Sequence, residues 1–373
     1  MEPLAAPFTA VRAGVLHSCG LVGDGAAYCW GYNESGQLGD GSRRDRSSPT
    51  PVIGSLRFSS LSPGGSHSCG LTTGNTVYCW GLNLNGQLGD GGAADRATPG
   101  QISGSVALVS VVAGASYNCG LTSTGAAHCW GFNQYGQLGD GGSDDQGLPK
   151  AVAGGLTFAE IAAYSFHTCG RTTAGPVHCW GRNDYGQLGI GTTADSPTPA
   201  LTTGGLVFSA VDVGFWHSCG LLTDGSAYCW GRNNFGQLGL GTLDSIQTTA
   251  PREVAGGLKF ASLSVGAAFT CAVEQGTNAG WCWGYNGSGQ LGSNVGSECQ
   301  DEAGFIVQCA FEPAPMSGGI SFQSISASTQ HVCGLSTDGV AYCWGLGGNG
   351  QLGDGTKGDS RFSLEPVRVA GQP

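Results

Sequence analysis

Short apolar runs punctuated by turn residues fill the chain from end to end. In the first stretch the runs are Phe8-Thr-Ala-Val-Arg12, His17 to Leu21, Ala27 to Gly31 and Pro51-Val-Ile53. Between them lie Gly14-Val-Leu16, Gly23-Asp-Gly25 and the long loop Asn33 to Gly41. Short runs rich in β-branched and aromatic residues predict strands, and the intervening Gly and Asn suit turns that need positive φ. Apolar positions nowhere recur convincingly at helical spacing.

The whole pattern then repeats. The frame His17-Ser-Cys-Gly-Leu21 to Cys29-Trp-Gly31 returns at Cys69 to Cys79, Cys119 to Cys129, Cys169 to Cys179, Cys219 to Cys229, Cys271 to Cys282 and Cys333 to Cys343. The first five copies lie 50 residues apart, the step to the sixth copy is 52 and the step to the seventh 62, lengthened by an insertion at about 293–317 in the sixth repeat. Seven four-stranded antiparallel units predict an all-β, seven-bladed β-propeller, one domain spanning 1–373, with an open β-solenoid as the alternative. At the C-terminus Pro366-Val-Arg-Val-Ala-Gly371 matches Pro51-Val-Ile-Gly54, and at the N-terminus Phe8 to Gly14 matches Phe58 to Gly64. The ring is therefore expected to close by pairing of its N- and C-terminal segments.

Composition narrows the function classes. Length alone would allow two or three domains, but a closed repeat ring reaches 373 residues unaided. With only 11% charged residues and 9 Trp, 14 Phe and 10 Tyr, the chain is no candidate for disorder. A net charge of -11 argues against nucleic acid or an anionic membrane as partner, because phosphate binding needs clustered positive charge. No run approaches the roughly 18 apolar residues of a membrane helix, so no membrane insertion is expected.

The 16 cysteines are the strongest chemical signal. From Cys19 to Cys29 the centre of symmetry falls on Asp24 in a Gly-Asp-Gly turn, which sets the two thiols opposite each other on a hairpin. Opposed residues at a non-hydrogen-bonded position meet the Cβ spacing of a disulfide, so seven bridges within blades are expected. Cys271 to Cys282 carries one extra residue, and Cys299 with Cys309, inside the insertion, makes an eighth pair. The competing readings are buried free thiols in a reducing compartment and, less well matched to the spacing, zinc. Complete pairing favours an oxidising compartment, secreted or periplasmic. That reading requires a signal peptide already removed and Met1 added, since the given start is no signal peptide.

The phrase Trp-Gly-x-Asn-x-x-Gly-Gln-Leu-Gly stands at Trp30–Gly39, Trp80–Gly89, Trp130–Gly139, Trp180–Gly189, Trp230–Gly239 and Trp283–Gly292. The seventh copy, Trp344–Gly353, has Gly348 in place of Asn. In this phrase the chain resembles the regulator of chromosome condensation repeat family, and the resemblance covers almost its whole length. It implies a seven-bladed propeller. Members include a guanine-nucleotide exchange factor that docks on nucleosomes, a plant ultraviolet photoreceptor and a secreted bacterial inhibitor of β-lactamases, so the resemblance specifies a scaffold more than a chemistry. The only insertion here is acidic and in the sixth unit, which departs from an exchange wedge. Trp216 and Trp281 are too few for a photoreceptor's tryptophan cluster.

Residues that recur in every unit read as structure. His17, His67, His167, His217 and His331 share a site with Tyr117 and Phe269, so an aromatic ring replaces the imidazole and packing is the better reading. His128 and His178 replace Tyr28, Tyr78, Tyr228 and Tyr342 in the same sense. The repeat Trp residues read as core. The acidic turns at Asp40, Asp90, Asp140 and Asp354 read as solvated Asp-Gly turns rather than calcium sites, and the sequon residues Asn33 and Asn286 as loop structure. No nucleophile motif or phosphate-cradling loop stands out, and neither cofactor nor metal is expected.

Residues that differ between units carry the functional signal. Strand parity places the loop between the first and second strands on the same face as the loop between the third and fourth. That face carries Phe132, Tyr135, Phe166, Arg182, Tyr185, Phe215, Trp216, Arg232 and Phe235, whereas blades two and six offer Gly65-Ser66, Leu84-Asn85, Ala267-Ala268 and Gly287-Ser288. Aromatics and Arg dominate protein interfaces. The expectation is a noncatalytic, monomeric binding scaffold for a protein partner. The alternatives are an inhibitor of an extracellular enzyme such as a β-lactamase, and a glycan-acting enzyme with its site on the rim or in the channel, which an acidic pair at the rim with a raised pKa would favour.

Overall fold

In a computed structural model, which describes residues 6–243, 247–294, 296–300, 303–359 and 361–372, seven antiparallel sheets form a propeller. Blade one consists of β1 (Phe8–Ala13), β2 (His17–Val22), β3 (Ala27–Gly31) and β4 (Arg46–Pro51), in that order across the sheet. The other blades repeat it. First strands line a central channel, and fourth strands form the outer edge. Prolines 49 and 51 are tolerated in β4 because an edge strand needs fewer ladder donors.

The fourth strand begins earlier than its apolar residues suggest. Instead of Pro51-Val-Ile53 it spans Arg46–Pro51, because a bulge sets Thr50 opposite Cys29 but Arg46 opposite Gly31. In blade six the insertion forms a hairpin, Ser297–Gln300 with Ile306–Pro315, whose second arm is the fourth strand and whose first adds a fifth at the outer edge.

Cys19 lies directly opposite Cys29 in the ladder, and the same register recurs in every blade. The seven bridges have Cα atoms 4.1 Å apart, and the eighth, Cys299–Cys309, spans 6.0 Å. The extra residue between Cys271 and Cys282 is absorbed in the turn, where Asn278 adopts φ 58°. In each blade the Trp is fully buried, in six of them against the Phe that opens the first strand, as in Phe8–Trp30 at 5.8 Å, and in blade three in one cluster with Leu108, which takes the place of that Phe.

The blades are locked by the repeated loop. The carbonyl of Gln37 accepts from Trp80 Nε1 (2.9 Å) and Ser68 Oγ (2.9 Å) of the next blade, and Gly39 leaves room for that indole, which a Cβ would approach to 2.8 Å. The sequon residue Asn33 shapes this loop: its Oδ1 accepts from Leu38 N, and its Nδ2 donates to the carbonyl of Arg44. The acidic turns are paired with cations, as in Asp40 with Arg46 at 2.7 Å and Asp140 with Lys150 at 2.8 Å, and no group able to hold a metal occurs among the described residues.

Closure differs from the expected pairing of the termini. Among the described residues no N-terminal strand shares a sheet with a C-terminal one, because blade one and the last blade (first strand Phe322–Ala327, fourth strand Phe362–Arg368) each draw four strands from one continuous stretch. The ring closes with the latch used everywhere else. Trp30 Nε1 and Ser18 Oγ donate to the Gln351 carbonyl, His331 Nε2 bonds Ser18 at 2.9 Å, and Ala13 N donates to Ser326 Oγ.

Candidate functional site

The five repeated histidines are structural, as their exchange for aromatics suggested. All are fully buried, and each Nε2 bonds the next blade, to Ser68, Asn118, Ser218, Thr270 and Ser18 in turn. Ser68 Oγ already donates to Gln37, so it must accept from the His17 Nε2–H, which leaves Nδ1 without a proton and without a partner. Tyr117 bonds Thr168 at 2.9 Å in the same place. Phe269 makes no such bond, and the residue it faces in the next blade is Val332. Burial depresses the imidazole pKa to about 3 at His17, His167, His217 and His331 and to about 4 at His67.

The channel holds an acidic pair that sequence reasoning did not single out. Lined by the first strands, it encloses about 450 Å³ and contains Arg12, Glu160 and Asp212. Burial pushes the Asp212 carboxyl up to about 7 despite two amide donors, Val213 at 2.9 Å and Val265 at 2.8 Å. Glu160 accepts from Arg171 at 3.2 Å and from the Val211 amide at 3.3 Å. Ser62, Ser264 and Ser326 likewise accept an amide of the next blade, so Asp212 does in blade five what serine does elsewhere. These carboxylates are committed to the backbone. Tyr164 spans the channel at the aromatic end and bonds Thr329 at 2.9 Å, standing where Gly14, Gly64, Gly114, Gly214 and Gly266 stand in other blades. The repeat register alone would have found it.

The rim aromatics come together as strand parity requires. Tyr135 and Phe166 meet at 5.1 Å, Phe166 and Phe215 at 5.4 Å, Phe215 and Trp216 at 4.7 Å, and Trp216 and Tyr185 at 5.2 Å; Phe132 flanks Tyr135 at 6.3 Å. The Arg182 guanidinium lies over Tyr135 and Trp216, 4.6 Å from each centroid, and Arg232 lies 4.6 Å over Tyr185. Each of these eight residues keeps part of its surface exposed. The stacking fixes their rotamers, so the ladder across blades three to five is preorganised, and arginine held over rings is already partly desolvated.

Phe235 departs from the expectation. Only 7% exposed, it is packed with Tyr285, Val307 and Phe311 around the Cys299–Cys309 bridge, because the blade-six insertion covers it. The insertion's reach across a blade boundary had no local signature.

The repeat loop, the Trp latch and the seven-sheet ring agree with the comparisons to known proteins. The RCC1-like domain matches residues 10–308, and regulator of chromosome condensation (RCC1) repeats match 322–351 and 338–373. The chain belongs to the RCC1-like family. Among solved structures this RCC1-like propeller is similar to Prp20p from Saccharomyces cerevisiae, with 21% identity and TM-score 0.81 over 99% of this chain and 87% of that one. It is also similar to human WBSCR16, with 19% identity and TM-score 0.79 over 90% and 89%. The CRINKLY WD40 ectodomain of the Arabidopsis thaliana receptor kinase ACR4 gives 19% identity and TM-score 0.58 over 91% and 96%. At these identities the likeness concerns the fold. No helix among the described residues is long and apolar enough to cross a membrane.

Proposed function

We propose that this RCC1-like propeller is a noncatalytic binding scaffold, secreted or periplasmic, that holds a protein partner on the loop face of blades three to five. The observation that carries this reading is the Tyr135–Arg182–Trp216–Tyr185–Arg232 ladder: large rings and two guanidiniums, partly exposed, rigid, and confined to adjacent blades. Such groups supply most of the binding energy in protein interfaces. Eight disulfides and no free cysteine support an oxidising compartment. Prp20p, a propeller of the same fold, is described by its binding properties to Gsp1p and histones, which shows the fold holding proteins. Here the -11 net charge favours a partner whose contact surface is not acidic overall.

Immobilised oxidised protein, exposed to the secreted or periplasmic fraction of its source cells, tests this directly. A partner bound through the ladder is expected to bind the Arg182→Ala/Trp216→Ala variant at least about thirtyfold more weakly, the loss typical of hot-spot truncation. Equal capture by both proteins would overturn the assignment of the face.

A further inference from the structure

The ladder stops abruptly at blade six. Just before the second strand, blade four carries Ser165-Phe166 and blade five Phe215-Trp216, but blade six carries Ala267-Ala268 and blade seven Thr329-Gln330. The side chains missing there leave space. Ala267, Ala268, Thr329 and Gln330, with Phe235, Tyr285 and Ala303, line a cavity of about 340 Å³ on the ladder's face of the ring. That volume is at the small end for a ligand site, suited to one large side chain rather than to a peptide segment.

The repeat itself indicates what fits. In blade four the residue that follows the Trp-Gly pair, Arg182, lies over Tyr135 of the preceding blade and over Phe166 of its own, and those two rings meet at 5.1 Å. The equivalent trio in blade six is Tyr285, Phe235 and Ala268. Tyr285 and Phe235 are in place, edge to face at 5.1 Å, and only the ring at position 268 is missing. The walls are held rigidly. Phe235 is fixed by the disulfide-stapled hairpin, and Thr329 is tied to Tyr164.

We infer that the cavity at Ala267–Ala268 receives an aromatic side chain offered by the protein partner, completing the ring that blade six omits. This rests on the proposed binding face and assigns that face a socket beside its ladder. Two aromatic rings and three alanine methyls at the walls favour a flat π-surface, because contact between rings adds to simple area burial.

The test uses the full oxidised chain with ¹³C-labelled alanine methyls, titrated with N-acetyl-tryptophanamide, N-acetyl-phenylalaninamide and N-acetyl-leucinamide. The aromatic amides are expected to shift the Ala267 and Ala268 methyl signals saturably, with the leucine amide up to about tenfold weaker, the most that ring geometry adds. Ala268→Trp, which fills the socket, is expected to abolish the Ala267 response. Equal response to leucine, no saturable response, or an Ala267 shift that survives Ala268→Trp would each overturn the inference, and the first two need no variant to fold. The two readings fail separately. Loss of partner capture in the ladder variant without any aromatic-amide binding would sink the socket alone. Saturable amide binding with capture indifferent to the ladder would sink the binding face and leave the socket a small-ligand site.

Discussion

At the histidine position a single residue couples two blades, and the chain contains its own control experiment. Five imidazoles donate across the blade boundary to a polar residue, while Phe269 faces Val332, so both ends of that pair are apolar together. A buried hydrogen bond contributes about 1 kcal/mol net, and leaving one end unpaired costs more than removing both. His17→Phe is therefore expected to destabilise by about 1 kcal/mol, and His17→Phe/Ser68→Val by less than the sum of its two single changes. A double-mutant cycle in guanidinium denaturation measures the coupling; strict additivity would mean the His17–Ser68 bond contributes nothing. The conjoint change at 269 and 332 was visible in the sequence, but its meaning was not, since no local rule says which residue of the next blade an imidazole reaches.

Among the secondary-structure elements, the exit of the third strand decides how loop and blade fit. Gly31 ends β3 at φ 108°, and a Cβ there would lie 2.6 Å from the Leu16 carbonyl oxygen, 2.7 Å from His17 Cα and 3.2 Å from Gln351 Cα. Gly155 is also left-handed, at φ 65°, but has open space around it. Gly31→Ala is expected to cost about 3 kcal/mol or more, combining backbone strain with a clash against backbone atoms, and Gly155→Ala about 1 kcal/mol from strain alone. Comparing their denaturation midpoints checks this, and equal costs would refute the account. Strands two and three and the cysteine register were legible because a hairpin's turn length fixes which residues oppose. The fourth strand was misplaced because its start depends on a bulge that has no counterpart in hydrophobic patterning.

For the whole molecule, the histidine ring makes stability depend on pH. Each folded-state pKa lies near 3 to 4, below the roughly 6.5 of an unfolded imidazole, so the unfolded chain takes up protons first as pH falls. Their contribution is intact above about pH 6.5 and is lost between there and about 4, at up to about 1.4 kcal/mol per pH unit for each ring. Asp212 works the other way: its folded pKa of about 7 exceeds the unfolded value, so its contribution fades as pH rises through 7. One carboxyl opposes five imidazoles, and the net expectation is a melting temperature that falls from pH 7 to pH 4, with a shallower slope in His217→Phe. A flat profile over that range would show the rings to be protonated in the fold. The disulfides brace the ring against this loss, since each short closed loop contributes roughly 2–3 kcal/mol in the chain-entropy picture.

The sequence alone determined the count of blades, the hairpin within each, the pairing of all sixteen cysteines and the face on which variable loops emerge. These follow from turn length, strand parity and period, which are properties of neighbouring residues. Tertiary structure decided what depends on the angle between blades. That angle stacks Arg182 between Tyr135 and Trp216 from three different blades, carries Tyr164 across the channel to Thr329, and brings the blade-six hairpin down over Phe235. It also closes the ring through Gln351 and Trp30 rather than through a shared sheet. Contacts between residues 50 to more than 300 positions apart are set by the packing of whole sheets, and a repeat tells each blade what it is without telling it where its neighbour's side chains will fall.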